Sequence, residues 1–63
     1  MNKREFKSAI RNAGAVFGWV KMDANDGEYL QIVKKSALIV ADNFDTDDEI
    51  DAVLRENGDL YIN

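Results

Sequence analysis

The stretch AVFGWVKMDANDGEYLQIVK, residues 15–34, decides the fold of this chain. Residues 15–22 are rich in β-branched and aromatic side chains, which favour a strand, and residues 28–34 return as a second strand. Between them lies a turn cluster that ends in Asp26-Gly27, a strong hairpin signal. The pattern therefore predicts a β-hairpin. Gly18 within the first strand indicates a bulge or the close approach of another backbone.

Residues 2–13, before the hairpin, predict an amphipathic helix. Asn2 and Glu5 have the spacing of a capping box, in which each side chain accepts from the other residue's backbone N–H. Gly14 predicts the end of the helix through a residue with positive φ. The apolar residues that recur at helical spacing, and so predict the buried stripe, are Phe6, Ala9, Ile10 and Ala13.

A second helix is predicted at residues 36–44, after the hairpin. Ser36 is a residue type that caps helix N-termini. Adjacent β-branched residues leave a strand at residues 37–41 as the alternative. The inward-facing residues of the helix would be Leu38, Ala41 and Phe44.

The last segment admits two interpretations. Thr46 and Glu49 have capping-box spacing and predict a third helix at residues 47–57, followed by a lone strand. Asn57-Gly58 instead favours a type I′ turn, with residues 52–56 paired to residues 59–62 as a second hairpin. We favour the hairpin, because a very small sheet gains more from a fourth strand than from another short helix.

The elements predict one small α+β domain over residues 1–63, since a chain of 63 residues is too short for two. The predicted architecture is a small antiparallel sheet of about three or four strands with the N-terminal amphipathic helix and the second helix packed on it. The order is αββαββ, or αββααβ if the third helix forms. The predicted core is Phe6, Ile10, Val16, Trp19 or Val20, Leu30, Ile32, Leu38, Leu54, Leu60 and Ile62.

The composition argues against an enzyme or a metalloprotein. The chain has no cysteine and no histidine, so neither thiolate nor imidazole chemistry is open to it, and no nucleophile elbow or phosphate-binding glycine loop occurs. Asp45, Asp47, Glu49 and Asp51 alternate, but an EF-hand loop requires a glycine at its sixth position, and in a loop counted from Asp42 that position is Asp47. We therefore predict no catalytic residues, no metal site and no cofactor.

Hydropathy predicts a soluble, cytoplasmic protein. No apolar run approaches the length of a membrane span, and residues 1–5 lead directly into a helical pattern rather than into a signal peptide. Short length and acidic character are together typical of the small open reading frames of bacteriophages and mobile elements.

Charge is distributed unevenly along the chain. Residues 1–35 contain seven Lys/Arg and four Asp/Glu, whereas residues 36–63 contain one Arg and eight Asp/Glu. So many like charges on a small body destabilise its folded state, which favours a functional reason for them. We predict a non-catalytic protein-binding module, a small acidic inhibitor or regulator that engages a basic, nucleic-acid-binding surface of a partner by charge mimicry. The predicted contacts are Asp42, Asp45, Asp47, Asp48, Glu49 and Asp51.

The alternative function is a small nucleic-acid-binding regulator. It would use the basic face of the N-terminal helix, with Trp19 and Tyr29 as stacking surfaces for bases. The acidic second half would repel the same polyanion, so the leading interpretation expects no direct contact with nucleic acid. An exposed edge of so small a sheet would also allow a homodimer. The basic residues are Lys3, Arg4, Lys7 and Arg11.

Overall fold

The computed structural model describes residues 1–20 and 28–63, with the backbone alone at residues 19, 20 and 28. This part of the chain forms two helices and a four-stranded sheet, in the α+β class. The elements, in chain order αββαββ, are α1 (Lys3–Asn12), β1 (Val16–Val20), β2 (Glu28–Ile32), α2 (Lys34–Asp42), β3 (Ala52–Leu54) and β4 (Leu60–Ile62).

The N-terminal helix begins as its sequence predicts. The Asn2 side chain accepts from the Glu5 backbone N–H at 2.8 Å, and the Glu5 carboxylate accepts from the Asn2 backbone N–H at 3.0 Å. The predicted positive φ at Gly14 is wrong. Ala13 ends the helix in an extended conformation, and the Gly14 N–H donates to the carbonyl oxygen of Gly58 at 3.0 Å. The helix therefore leads directly into β1.

The sheet is mixed, which corrects the prediction of an antiparallel sheet. Its strand order is β2-β1-β4-β3, and the two central strands β1 and β4 run parallel, with Val16 opposite Leu60. Each hairpin is antiparallel, as a short connection requires. The parallel pairing arises because α2 and the loop after it carry the chain from the edge strand β2 to the opposite edge strand β3. Strand β4 of the second hairpin then pairs with strand β1 of the first.

Both helices contribute to a core on one face of the sheet. Residues that oppose one another in register share a face, so Val16, Ile32 and Leu60 point the same way. Alternate residues such as Phe17 and Tyr61 point to the other face. The buried hydrophobic residues are Phe6, Ile10, Ala13, Val16, Ala37, Ala41, Ile50 and Leu60.

The first hairpin contains no bulge at Gly18. Gly18 lies in regular register between Leu30 of β2 and Ile62 of β4. A Cβ atom built there would overlap with the side chain of Ile32, so the close neighbour is a side chain and not a backbone. The predicted turn at residues 23–27 lies outside the described residues.

The C-terminal segment is a hairpin, not the alternative third helix. Ala52 pairs with Ile62 and Leu54 with Leu60. The turn is not type I′, because Gly58 has a φ of +90° whereas no non-glycine residue of the described part has positive φ. The Gly58 N–H donates to the carbonyl oxygen of Arg55 at 2.9 Å. The turn is therefore a three-residue loop that ends in a left-handed glycine.

The second helix begins earlier than its sequence predicts. It starts at Lys34 after Val33, which makes no side-chain capping bond, so Ser36 is not its N-cap. It ends at Asp42, and Phe44 lies just beyond it. The predicted inward positions are confirmed in part: Ala41 is buried, while Leu38 and Phe44 are partly buried against the core.

The predicted core is wrong at two edge positions. Leu30 and Leu54 are 49% and 54% exposed, since β2 and β3 each have a neighbouring strand on one side only. Ile32, Leu38 and Ile62 are partly buried, and the side chains of Trp19 and Val20 lie outside the described part. The remaining predicted residues, Phe6, Ile10, Val16 and Leu60, are buried as predicted.

The second hairpin depends on Gly58, so replacing Gly58 with alanine should destabilise the protein. A residue with a Cβ atom in this left-handed conformation costs about 1–2 kcal/mol. Gly14→Ala is the matched control, because Gly14 has no positive φ and its added Cβ atom would make an ordinary 3.5 Å contact with Asp59. We expect Gly14→Ala to be neutral, or stabilising by up to about 1 kcal/mol. Urea unfolding measures both, and equal effects would contradict the turn geometry.

Candidate protein-binding surface

Residues 42–51, which we call the acidic loop, carry all six predicted contact carboxylates. Two apolar side chains hold the loop on the protein. The Phe44 ring packs edge-on against the ring of Phe6, with centroids 6.2 Å apart. Ile50 is buried, and its backbone exchanges two hydrogen bonds with that of Met1, at 2.8 and 2.9 Å. The loop is therefore fixed at both ends against the start of α1.

Between these two fixed points the chain makes a turn. The Asp48 N–H donates to the carbonyl oxygen of Asp45 at 3.1 Å, and the Asp48 carboxylate accepts from the Asp45 N–H at 3.0 Å. The capping-box spacing of Thr46 and Glu49 therefore does not begin a helix. The turn presents its side chains outward, and residues 45–49 are all exposed.

Three of the carboxylates have partners outside the loop. Asp42 accepts from Lys7 Nζ at 2.5 Å, in an ion pair between the end of α2 and the middle of α1. Glu49 accepts from the amino group of Met1 at 2.6 Å. Asp51 accepts from the side-chain amide of Asn63 at 3.3 Å. Part of the acidic charge therefore stabilises the position of the loop.

The Lys7 ammonium lowers the pKa of the Asp42 carboxyl below its ordinary value of 3.8. The hydrogen bond from Lys7 is the main cause, followed by the positive charge of Lys7, with smaller contributions from the charges of Lys3 and Arg11. Asp42 thus remains ionised under all but strongly acidic conditions.

Asp45 and Asp47 are the carboxylates that remain available for an external cation. Both are exposed, and neither side chain has a partner among the described residues. Together with Asp48 and Asp51 they lie on one connected stretch of backbone. The six predicted residues therefore follow one another from the last residue of α2, and the structure divides them between internal and outward-facing roles.

The four basic residues of the alternative function also lie together. Lys3, Arg4, Lys7 and Arg11 line an open groove of about 490 Å³, with Asn2 and Thr46 completing its wall. Lys3 Nζ donates to the backbone carbonyl oxygen of Asp42 at 3.3 Å. Thr46 belongs to the acidic loop, so the basic and the acidic surfaces are neighbours. Thr46 is remote in sequence from the four basic residues, so the sequence predicts the basic face of the helix but not the groove.

The other face of the sheet carries an aromatic cluster that the sequence analysis missed. Phe17 stacks on Tyr61 with ring centroids 4.9 Å apart, and Tyr29 meets Tyr61 edge-on at 5.0 Å. The Arg55 guanidinium lies over the Tyr61 ring at 4.8 Å. Tyr29, considered above as a stacking surface for bases, therefore already contacts another ring. The side chain of Trp19 lies outside the described residues.

Residues 1–20 and 28–63 contain no candidate metal cluster and no candidate membrane span. No group of three or more carboxylates there is arranged to hold a metal ion. Neither of the helices in this part of the chain has the length and apolar character needed to cross a membrane.

The pair of Asp42 and Lys7 predicts a pH-dependent contribution to stability. Because the pKa of Asp42 is lower in the folded state, the pair should stabilise the protein above the ordinary value of 3.8 and lose this effect as pH falls through the lowered pKa. Asp42→Asn should therefore lower the melting temperature at pH 7, and should lower it progressively less as the pH falls through the lowered pKa of Asp42. In a Lys7→Gln background the same change should have a smaller effect, and an undiminished effect would contradict the pairing.

Comparison with known proteins does not identify a function. No protein-family model matches the chain, and no curated protein or solved structure is significantly similar to it. The function must therefore be inferred from the geometry and charges of the described residues.

Proposed function

We propose that this protein is a non-catalytic protein-binding module whose acidic loop engages a basic, nucleic-acid-binding surface of a partner. In doing so it inhibits or regulates the partner by charge mimicry. The observation that supports the proposal is the way the loop is held. Phe44 and Ile50 are packed against the protein, whereas the carboxylates between them are exposed.

A loop held in this way suits electrostatic recognition. Ordering a flexible acidic segment on binding would cost conformational entropy, and a loop that is already ordered avoids much of that cost. Clustered charges of one sign also accelerate encounter with a surface of opposite sign and disfavour wrong partners. Both effects favour selective binding without a hydrophobic pocket.

The internal contacts support a division of roles among the carboxylates in the proposed recognition. Asp42 and Glu49 are partly neutralised by Lys7 and the Met1 amino group, so their roles are mainly to position the loop. Asp45 and Asp47, which have no such partner in the described part, would meet the cations of the partner. In the complex they would occupy positions that nucleic-acid phosphates otherwise take, and the two ligands would compete.

Reversing one outward charge of the loop should weaken binding of the partner. We expect Asp47→Lys to reduce affinity by roughly tenfold or more, because like charges then face each other across the interface. Glu56→Lys is the matched control: Glu56 is exposed in the β3–β4 loop, and its reversal changes the net charge equally. The partner is first isolated on the immobilised full chain and identified by mass spectrometry. Its affinity for each variant is then measured, with circular dichroism as the test of folding.

Competition with nucleic acid provides the second readout. Charge mimicry predicts that DNA or RNA displaces the partner from the immobilised protein. It also predicts that wild type and Glu56→Lys retain the partner equally. Equal loss of binding in Asp47→Lys and Glu56→Lys would show that only net charge matters, and would contradict a role for the acidic loop.

A further inference from the structure

The basic groove is a second feature of the surface that the proposed function leaves unused. Its volume of about 490 Å³ falls in the range typical of small-ligand sites, about 300–1,000 Å³. It is lined by four cationic side chains and two neutral polar ones, with no carboxylate in its lining. Such a concave surface favours a small anion.

The four cationic side chains of the groove differ in whether they contact another residue of the protein. Lys3 and Lys7 are held by Asp42, through its backbone carbonyl oxygen and its carboxylate. The guanidinium groups of Arg4 and Arg11 are exposed and have no partner among the described residues. Guanidinium groups form bidentate hydrogen bonds with phosphate, which makes arginine well suited to recognise it.

We propose that this groove binds a compact anion that carries two or more phosphate groups. Arg4 and Arg11 would bind phosphate oxygens directly. Lys7 would contribute after releasing the Asp42 carboxylate, so Asp42 acts as an internal competitor for the ligand.

The surroundings of the groove favour a compact anion over a nucleic-acid strand. Thr46 forms part of the wall, and its sequence neighbours Asp45 and Asp47 are exposed carboxylates. The protein as a whole has a net charge of −4. A long polyanion that extended past the groove would meet this repulsion along its length, whereas a small one would be confined to the cations. The cations that would bind the ligand are separate from the carboxylates that would meet the partner, so either proposal can fail alone.

Tripolyphosphate is a suitable probe, titrated into the full chain without divalent cations at about 0.1 M ionic strength, where charges more than about 10 Å apart are screened. Calorimetry gives the stoichiometry, and amide chemical shifts locate the site. We expect one saturable site, with the largest shifts at Asn2, Lys3 and Thr46. Arg4→Gln/Arg11→Gln should weaken binding by roughly tenfold or more, since each arginine supplies charge-assisted hydrogen bonds.

Two single-charge variants test the role of the groove itself. Asp42→Asn should tighten binding of tripolyphosphate by roughly threefold or more, because Lys7 is released from its ion pair. Lys35→Gln removes a positive charge from an exposed position outside the groove, and should change affinity by less than about twofold, since exposed distant charges are screened. Circular dichroism confirms that each variant is folded.

Three outcomes would overturn the proposal. The first is the absence of saturable binding, and the second is an equal loss in Lys35→Gln and in the double arginine variant. The third is tighter binding of a single-stranded oligonucleotide of matched charge, which would identify the groove as a nucleic-acid site. Unchanged affinity in Asp42→Asn would contradict the competitor role.

Discussion

The packing of Phe44 and Ile50 against the start of α1 is the constraint on which the surface of this protein depends. α2 and the acidic loop must carry the chain from one edge of the sheet to the other. On the way the chain passes the N-terminus of α1, where Phe6 contacts Phe44 and Met1 pairs with Ile50. This route explains why β4 joins the sheet parallel to β1, and why an acidic segment lies beside a basic helix.

The resulting surface has two charged regions that are connected by Asp42. Lys7 and Lys3 bind the end of α2, and this attraction offsets part of the self-repulsion within the acidic loop. Because these pairs are at the surface, each contributes little stability alone. Their main consequence is positional: Asp45 and Asp47 stay exposed in the acidic loop, and Arg4 and Arg11 stay exposed in the groove.

Local patterns in the sequence located the helices and strands along the chain, but they did not determine helix ends, turn types or the long-range strand pairing. The capping box of Asn2 and Glu5 forms, whereas the same spacing at Thr46 and Glu49 does not, because Ile50 is buried against Met1 instead of continuing a helix. The parallel pairing of β1 with β4 carries no local signal. The candidate surface was also predicted only in part. The uneven distribution of charge along the sequence located the acidic residues. The partners of Asp42 and Glu49, which lie 35 and 48 residues away, required the fold.

The central claim is that the acidic loop is an ordered surface rather than a flexible acidic tail. Backbone ¹⁵N relaxation of the full chain tests it most directly. The account predicts order parameters of about 0.85 for Asp45, Asp47 and Asp48, equal to those of α1, together with slow exchange of the Ile50 amide that donates to Met1. Order parameters below about 0.6 across these residues would contradict it, because the carboxylates would then have no fixed arrangement to present to a partner.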